Sequence, residues 1–405
     1  MKENQMQEKL IGALIKIERL KQQRKQSEIC KDICVPSYLS KIEHGQVKAE
    51  NEIITKLFAK LGIDYIEDEE FIDESSKNIK KYFKQLNYNM DTNETYERLE
   101  VNTKKLSYSV FAIDWLIIQA YEKDMSLDLL YELKDVMTPV QSAYYTIKFA
   151  LDKKVPIDLQ FKFVESCEAL RNSYGLLTLC QYYMIYGDYT SIHGLENRVT
   201  VMAIEEGNTY RLAEYLTYKG SAYACLNQHQ MMMTYYERSI MILQNTGWTN
   251  HLKNIYYNAG ATYINMKDYQ LALTYLNKVS VDDEDSSFQL LHKKAVANIR
   301  MGKVEEGKKF LKIIKNKYLS KETICLADKL KYEEACFECQ DGFVNDPKYL
   351  MLLEKLITEL KKEYHFGHLF FYSDMIVETY KKHRKYKKAL EFEAGISYKL
   401  VNTII

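Results

Sequence analysis

The chain has 405 residues carrying 56 basic and 56 acidic side chains, so net charge by itself selects no partner. That length exceeds what one hydrophobic core usually organises, and two or more units are expected. Eight Cys in so long a chain do not make a disulfide framework. No basic start followed by an apolar stretch opens the sequence, and no apolar run reaches membrane-spanning length. A reduced, soluble, cytoplasmic protein with no membrane partner is expected.

Pro occurs four times and Gly fifteen, and both are poor inside helices, so their scarcity predicts an all-α protein. The 34 Tyr recur at helical rather than strand-like spacing. In chain order, Leu10, Ile11, Leu14, Ile17 and Leu20 give a first amphipathic helix. A polar turn over 21–25 leads to a second helix near Gln26, with Ile29 and Ile33 inward. A third starts after the turn Cys34-Val35-Pro36, where Pro36 suits a first helical turn and Gly45 the position past a C-terminus. Ile53, Ile54, Leu57, Phe58 and Leu61 form a fourth, closed by Gly62. Residues 1–62 hold 12 Lys or Arg against 8 Asp or Glu, a local excess of four.

These residues resemble the Xre/Cro-type helix-turn-helix. The likeness rests on Gln26-Ser27-Glu28-Ile29, on Ser37-Tyr38-Leu39-Ser40-Lys41-Ile42-Glu43-His44-Gly45, and on Leu57 to Gly62. The short turn Ile33-Cys34-Val35 is similar to that of PlcR-type peptide-dependent regulators. The resemblance implies double-stranded DNA as a partner. A recognition helix lies in the major groove with its N-terminal side chains on base edges. Ser37, Tyr38 and Lys41 are then the base-facing candidates. Gln26, Arg19 and Arg24 are the candidate phosphate contacts, and Glu43 bonds within the motif.

Residues 64–74 contain seven acids and no base, which predicts a solvated linker. A connecting helix follows from Ser76, and the expected division is 1–63, 64–99 and 100–405. Beyond residue 100 one amphipathic helix follows another. The clearest internal repeat is Tyr257-Asn258-Ala259-Gly260-Ala261-Thr262-Tyr263-Ile264 with Tyr269 to Leu276. Its frame returns at Lys219–Tyr223 with Tyr235-Tyr236, at 295–311, at 377–390 and, weakly, at 182–189. The pattern resembles tetratricopeptide repeats, with small residues (Gly260, Ala272) at helix contacts and Tyr around them. That resemblance implies a right-handed superhelix of helical hairpins whose concave face suits an extended peptide.

In such repeats the first helix lines the concavity. Asn254, Tyr257, Asn258 and Asn265 are therefore candidate peptide contacts, with Thr217, Tyr218 and Ser221 before them and His292, Lys293 and Arg300 after. Asn can bond both N–H and C=O of a peptide backbone, and a cation at 293 or 300 can meet a terminal carboxylate. Cys336 and Cys339 form a lone C-x-x-C, with His365 and His368 at an awkward spacing, so no metal and no cofactor is expected. No phosphate-binding Gly-rich loop or Ser-His-Asp set appears, and no catalytic residue or enzyme is expected. Head and repeats together resemble the RRNPP family of peptide-sensing regulators. That resemblance implies quorum-sensing control of transcription by a short signalling peptide, and a homodimer on a palindromic operator.

Overall fold

Helix follows helix in the computed structural model, which describes residues 3–65, 68–123, 128–149, 162–226, 228–279, 286–319, 324–362 and 366–402. Among the described residues every regular element is helical, and no helix is long and apolar enough to cross a membrane. The chain divides into two compact units, Met1–Thr178 and Leu179–Ile405.

The first unit opens with α1 (Glu3–Lys21), α2 (Gln26–Ile29), α3 (Pro36–Glu43) and α4 (Asn51–Lys60). Pro36 takes the first turn of α3, where its missing N–H costs nothing. Gly45 and Gly62 follow α3 and α4 with φ of 60° and 74°, the left-handed region that suits glycine past a helix end. Leu20, expected on the apolar face of α1, is instead 55% exposed.

The acidic stretch is not a linker throughout. Helix α5 (Glu69–Asn87) begins inside it, and the Asp68 carboxylate accepts from the Glu70 N–H at 3.0 Å. Acids at a helix N-terminus meet the positive end of the helix dipole, and Phe71 and Ile79 supply a buried face. Then come α6 (Asn93–Glu100), α7 (Thr103–Ser107), α8 (Ala112–Glu122), α9 (Asp128–Glu132), α10 (Pro139–Phe149) and α11 (Phe163–Ala169).

No core boundary separates the first four helices from those that follow. Leu14, Ile15, Leu39, Leu57 and Phe58 share one buried cluster with Ile113, Ile117, Leu133 and Tyr145. The Phe58 ring stacks on Tyr65 at 4.9 Å and meets the edge of Tyr108 at 6.2 Å. The Tyr108 hydroxyl donates to Glu18 at 3.1 Å. A head this small gains stability by burying its apolar surface against α8 to α10. The unit boundary falls at 178/179, inside α12 (Ser173–Tyr186), away from the expected divisions at 63/64 and 99/100.

The second unit continues with α13 (Tyr189–Gly194), α14 (Glu196–Glu205), α15 (Thr209–Cys225), α16 (His229–Leu243), α17 (Thr249–Asn265) and α18 (Tyr269–Leu276). It ends with α19 (Phe288–Arg300), α20 (Val304–Ile314), α21 (Leu326–Glu338), α22 (Pro347–Leu360), α23 (Phe366–Phe371), α24 (Ser373–Lys382) and α25 (Tyr386–Asn402).

Helices α15/α16 and α17/α18 repeat the same contacts forty residues apart. A Cβ on Gly220 would lie 2.5 Å from the Tyr236 ring, and one on Gly260 would lie 2.6 Å from Leu276 Cγ; each pair is sixteen residues apart. Tyr223 stacks on Tyr235 at 5.4 Å, and Tyr263 on Tyr275 at 5.6 Å. Small residues let the paired helices approach, and stacked aromatics fill the space beside the contact.

Candidate nucleic-acid interface and candidate peptide site

Helix α3 is held from beneath by apolar, steric and ionic contacts. Leu39 and Ile42 are buried. Gly12 on α1 lets the backbone of α3 come so near that a Cβ there would lie 2.0 Å from the Ile42 carbonyl oxygen. Glu43, its side chain fully buried, accepts from Arg19 Nε at 2.6 Å and Nη2 at 2.8 Å. It also accepts from Gln26 Nε2 at 2.8 Å. Bidentate guanidinium–carboxylate pairs fix orientation as well as distance. On the opposite side Ser37 and Lys41, four residues apart and hence on one face, are exposed, and Tyr38 is half-buried.

Of the six residues expected at DNA, Ser37 and Lys41 occupy the outer side, and Tyr38 packs in part against the core. Arg19 corrects the expectation: it is buried, and its remaining donor Nη1 bonds the Arg24 carbonyl at 2.9 Å. Facing Glu43, it is committed to the interior and offers no hand to a phosphate. Gln26 shares that carboxylate. Arg24 is half-buried, and its Nη1 donates to the Lys60 carbonyl at the end of α4. Val35 stands at the N-terminus of α3 and is 62% exposed.

The candidate peptide residues divide in two. On α17, Asn254 is exposed and Asn258 half-buried, and neither side chain has a hydrogen-bond partner among the described residues. Tyr257 and Asn265 on the same helix and Tyr218 on α15 are half-buried. Burial, and next Asp328, raises the Tyr257 phenol; burial, and next Glu214, raises that of Tyr218. Asp328 of α21 is thus within electrostatic reach of the α17 face that carries Tyr257.

His292, Lys293 and Arg300 correct the expectation, since the first two are buried and the half-buried Arg300 is paired within the chain. His292 is 2% exposed, with Nε2 3.1 Å from the Lys331 carbonyl. Burial, with the like charges of Lys331 and Arg300, holds the Lys293 ammonium well below its ordinary value, and its Nζ lies over the Phe371 ring. Arg300 donates from Nε to Glu338 at 3.0 Å and from Nη2 at 2.6 Å. The carboxylate expected from a ligand is supplied by α21. The earlier residues Thr217 and Ser221 are also bonded internally, Thr217 to the Ala213 carbonyl at 3.0 Å and Ser221 to the Tyr236 hydroxyl at 2.9 Å.

Cys336 and Cys339 are half-buried thiols whose burial raises both; His368 is half-buried and His365 lies outside the described residues. Among the described residues no group of three or more His, Cys, Asp or Glu is placed to hold a metal. No protein-family model matches the chain, and no curated protein matches it either.

Proposed function

We propose that the protein is a sequence-specific DNA-binding transcription regulator of the RRNPP type. In this reading α2 and α3 form its helix-turn-helix, and tetratricopeptide-like repeats in the second unit bind a short signalling peptide. The observation that carries the DNA half is the contrast across α3. Its inner side is pinned by the Arg19–Glu43–Gln26 bonds and the Gly12 contact, while Ser37 and Lys41 stand free outside. A side chain that reads base edges needs a rigid base and an unpaired tip. The peptide half rests on the exposed Asn254 and the half-buried Asn258, four residues apart on one helix face, with half-buried Tyr257 on the same helix and Tyr218 on α15. For a peptide to regulate, it must bind one DNA-binding state of the protein better than another.

The test is enrichment of duplexes from a random pool by the full-length protein at fixed salt, repeated with Lys41→Ala. A shared palindromic sequence is the expected result, since a homodimer presents two heads. Recovery of no common sequence by the unaltered protein refutes the reading.

A second reading keeps the DNA-binding head but gives the repeats a protein partner. The burial of His292 and Lys293 and the internal bonds of Arg300, Thr217 and Ser221 favour it, because five of the ten expected peptide contacts are committed within the chain. A small open reading frame with a secretion signal beside the gene favours the peptide instead.

A further inference from the structure

Val35 breaks two local rules at once. It is the N-cap residue of α3, with φ −83° and ψ 149° and no side-chain cap bond. Ser, Thr, Asp or Asn would there add a side-chain acceptor for an N–H of the first turn; Val supplies none and lowers helix stability. It is also 62% exposed, so its methyl groups gain nothing from burial. Neighbouring Ile33 and Cys34 are half-buried against the core, and only Val35 turns outward. Its backbone is nonetheless well fixed: its carbonyl accepts from the Tyr38 N–H at 2.9 Å and the Leu39 N–H at 3.2 Å. A β-branched side chain on a fixed backbone has little rotamer freedom. The result is a stiff apolar tip, one residue before Pro36 and two before Ser37. A residue that weakens its own helix and exposes apolar surface, yet is rigidly presented, marks a position where local stability gives way to function.

We infer that Val35 is a specificity-determining residue that packs against the C5-methyl group of a thymine in the operator. The inference rests on the DNA-binding reading of α3. The chemistry is selective because thymine alone presents a methyl group in the major groove. Ser37 and Lys41 address donors and acceptors of other base edges, and Val35 adds a contact that hydrogen-bonding groups cannot make. An apolar partner is matched by an apolar tip, while phosphate or cytosine would leave the methyl groups unrewarded.

The experiment uses the full chain and the duplex it enriches from a random pool. Each thymine of the half-site is replaced singly by uracil, which removes the methyl group and nothing else. Affinities are measured for the unaltered protein and for Val35→Ala and Val35→Ser. One thymine-to-uracil change should weaken binding by the unaltered protein about fourfold, the worth of roughly one buried methylene-sized group. Both variants should bind that uracil duplex and its thymine parent alike. Val35→Ser should at the same time melt no lower than the unaltered protein, because serine caps the helix that valine does not. The same uracil penalty in all three proteins, or a half-site without thymine, overturns the assignment while leaving the DNA-binding reading intact. Failure to enrich any duplex removes that reading and this inference with it.

Discussion

Arg19 at the end of α1 and Glu43 at the end of α3 form a two-pronged ion pair at 2.6 and 2.8 Å, with the Glu43 side chain fully buried. The pair joins the helix that carries the candidate base contacts to the helix that shares the unit's core. Breaking a buried pair by removing one partner leaves an uncompensated charge, at about 3–5 kcal/mol. Arg19→Ala should lower the stability of the first unit by that order in urea titration, and DNA binding should fail as α3 loosens. Arg19→Ala with unchanged unfolding would return Arg19 to the surface and to phosphate.

Ser37 and Lys41 should behave in the opposite way. Both are exposed and removed from the core, so Ala at either position should leave the melting temperature almost unchanged. Each good base contact is worth about 1–3 kcal/mol, and operator affinity should fall accordingly. Binding isotherms at one fixed salt are the measurement. Equal affinity in both variants would take these residues off the interface.

Asn258→Ala should weaken a cognate peptide by about 1–3 kcal/mol, because backbone groups bonded to the amide are left unpaired. That is roughly a ten- to hundredfold change in Kd, read by calorimetric titration. Operator binding without peptide should not change, since Asn258 belongs to the second unit and α3 to the first. Normal peptide affinity would place the ligand away from α17.

Arg300→Ala offers the contrast on the neighbouring repeat. Its bonds to Glu338 are internal, so the expected effect is loss of stability by about 3–5 kcal/mol. A variant that keeps its unfolding midpoint yet loses peptide would reinstate Arg300 as a ligand residue.

Asp114 on α8 predicts a pH dependence. Burial raises its carboxyl from 3.8 to about 6, although the Gln141 amide donates to it at 2.8 Å. Between those values the folded chain keeps a proton that the unfolded chain has lost, so stability falls as pH rises from about 4 to 6. The shift of about two units corresponds to at most about 3 kcal/mol. Asp114→Asn keeps the acceptor oxygen and removes the charge. It should match the unaltered protein near pH 4, exceed it in stability near pH 7, and flatten the profile between. Parallel urea-unfolding profiles for the two proteins would show that Asp114 ionises without cost.

Short-range chain physics determined much of this protein. Proline and glycine placement with helical apolar spacing located α1 to α4, and the Gly260/Ala272 pattern with its tyrosines located α17 and α18 and their copy forty residues earlier. These signals are local, because periodicity, caps and left-handed glycines act within a turn or two of helix. The acidic run misled for a related reason. Its charge alone predicts solvation, whereas Phe71 within it joins a core that only the folded chain assembles.

The tertiary structure alone decided which charges face inward. Arg19 and Lys41 are both cations in the basic opening segment, but Glu43 draws the first inside, while Lys41 is exposed with no ion pair among the described residues. Arg300 looks open to a ligand in the sequence because its partner Glu338 lies thirty-eight residues away on α21. The same holds for the extent of the first unit, since Leu57 and Tyr145 meet in one core across a long stretch of chain. Hydrophobic and ionic partners far apart in sequence are chosen by packing, and packing is settled only when the helices meet.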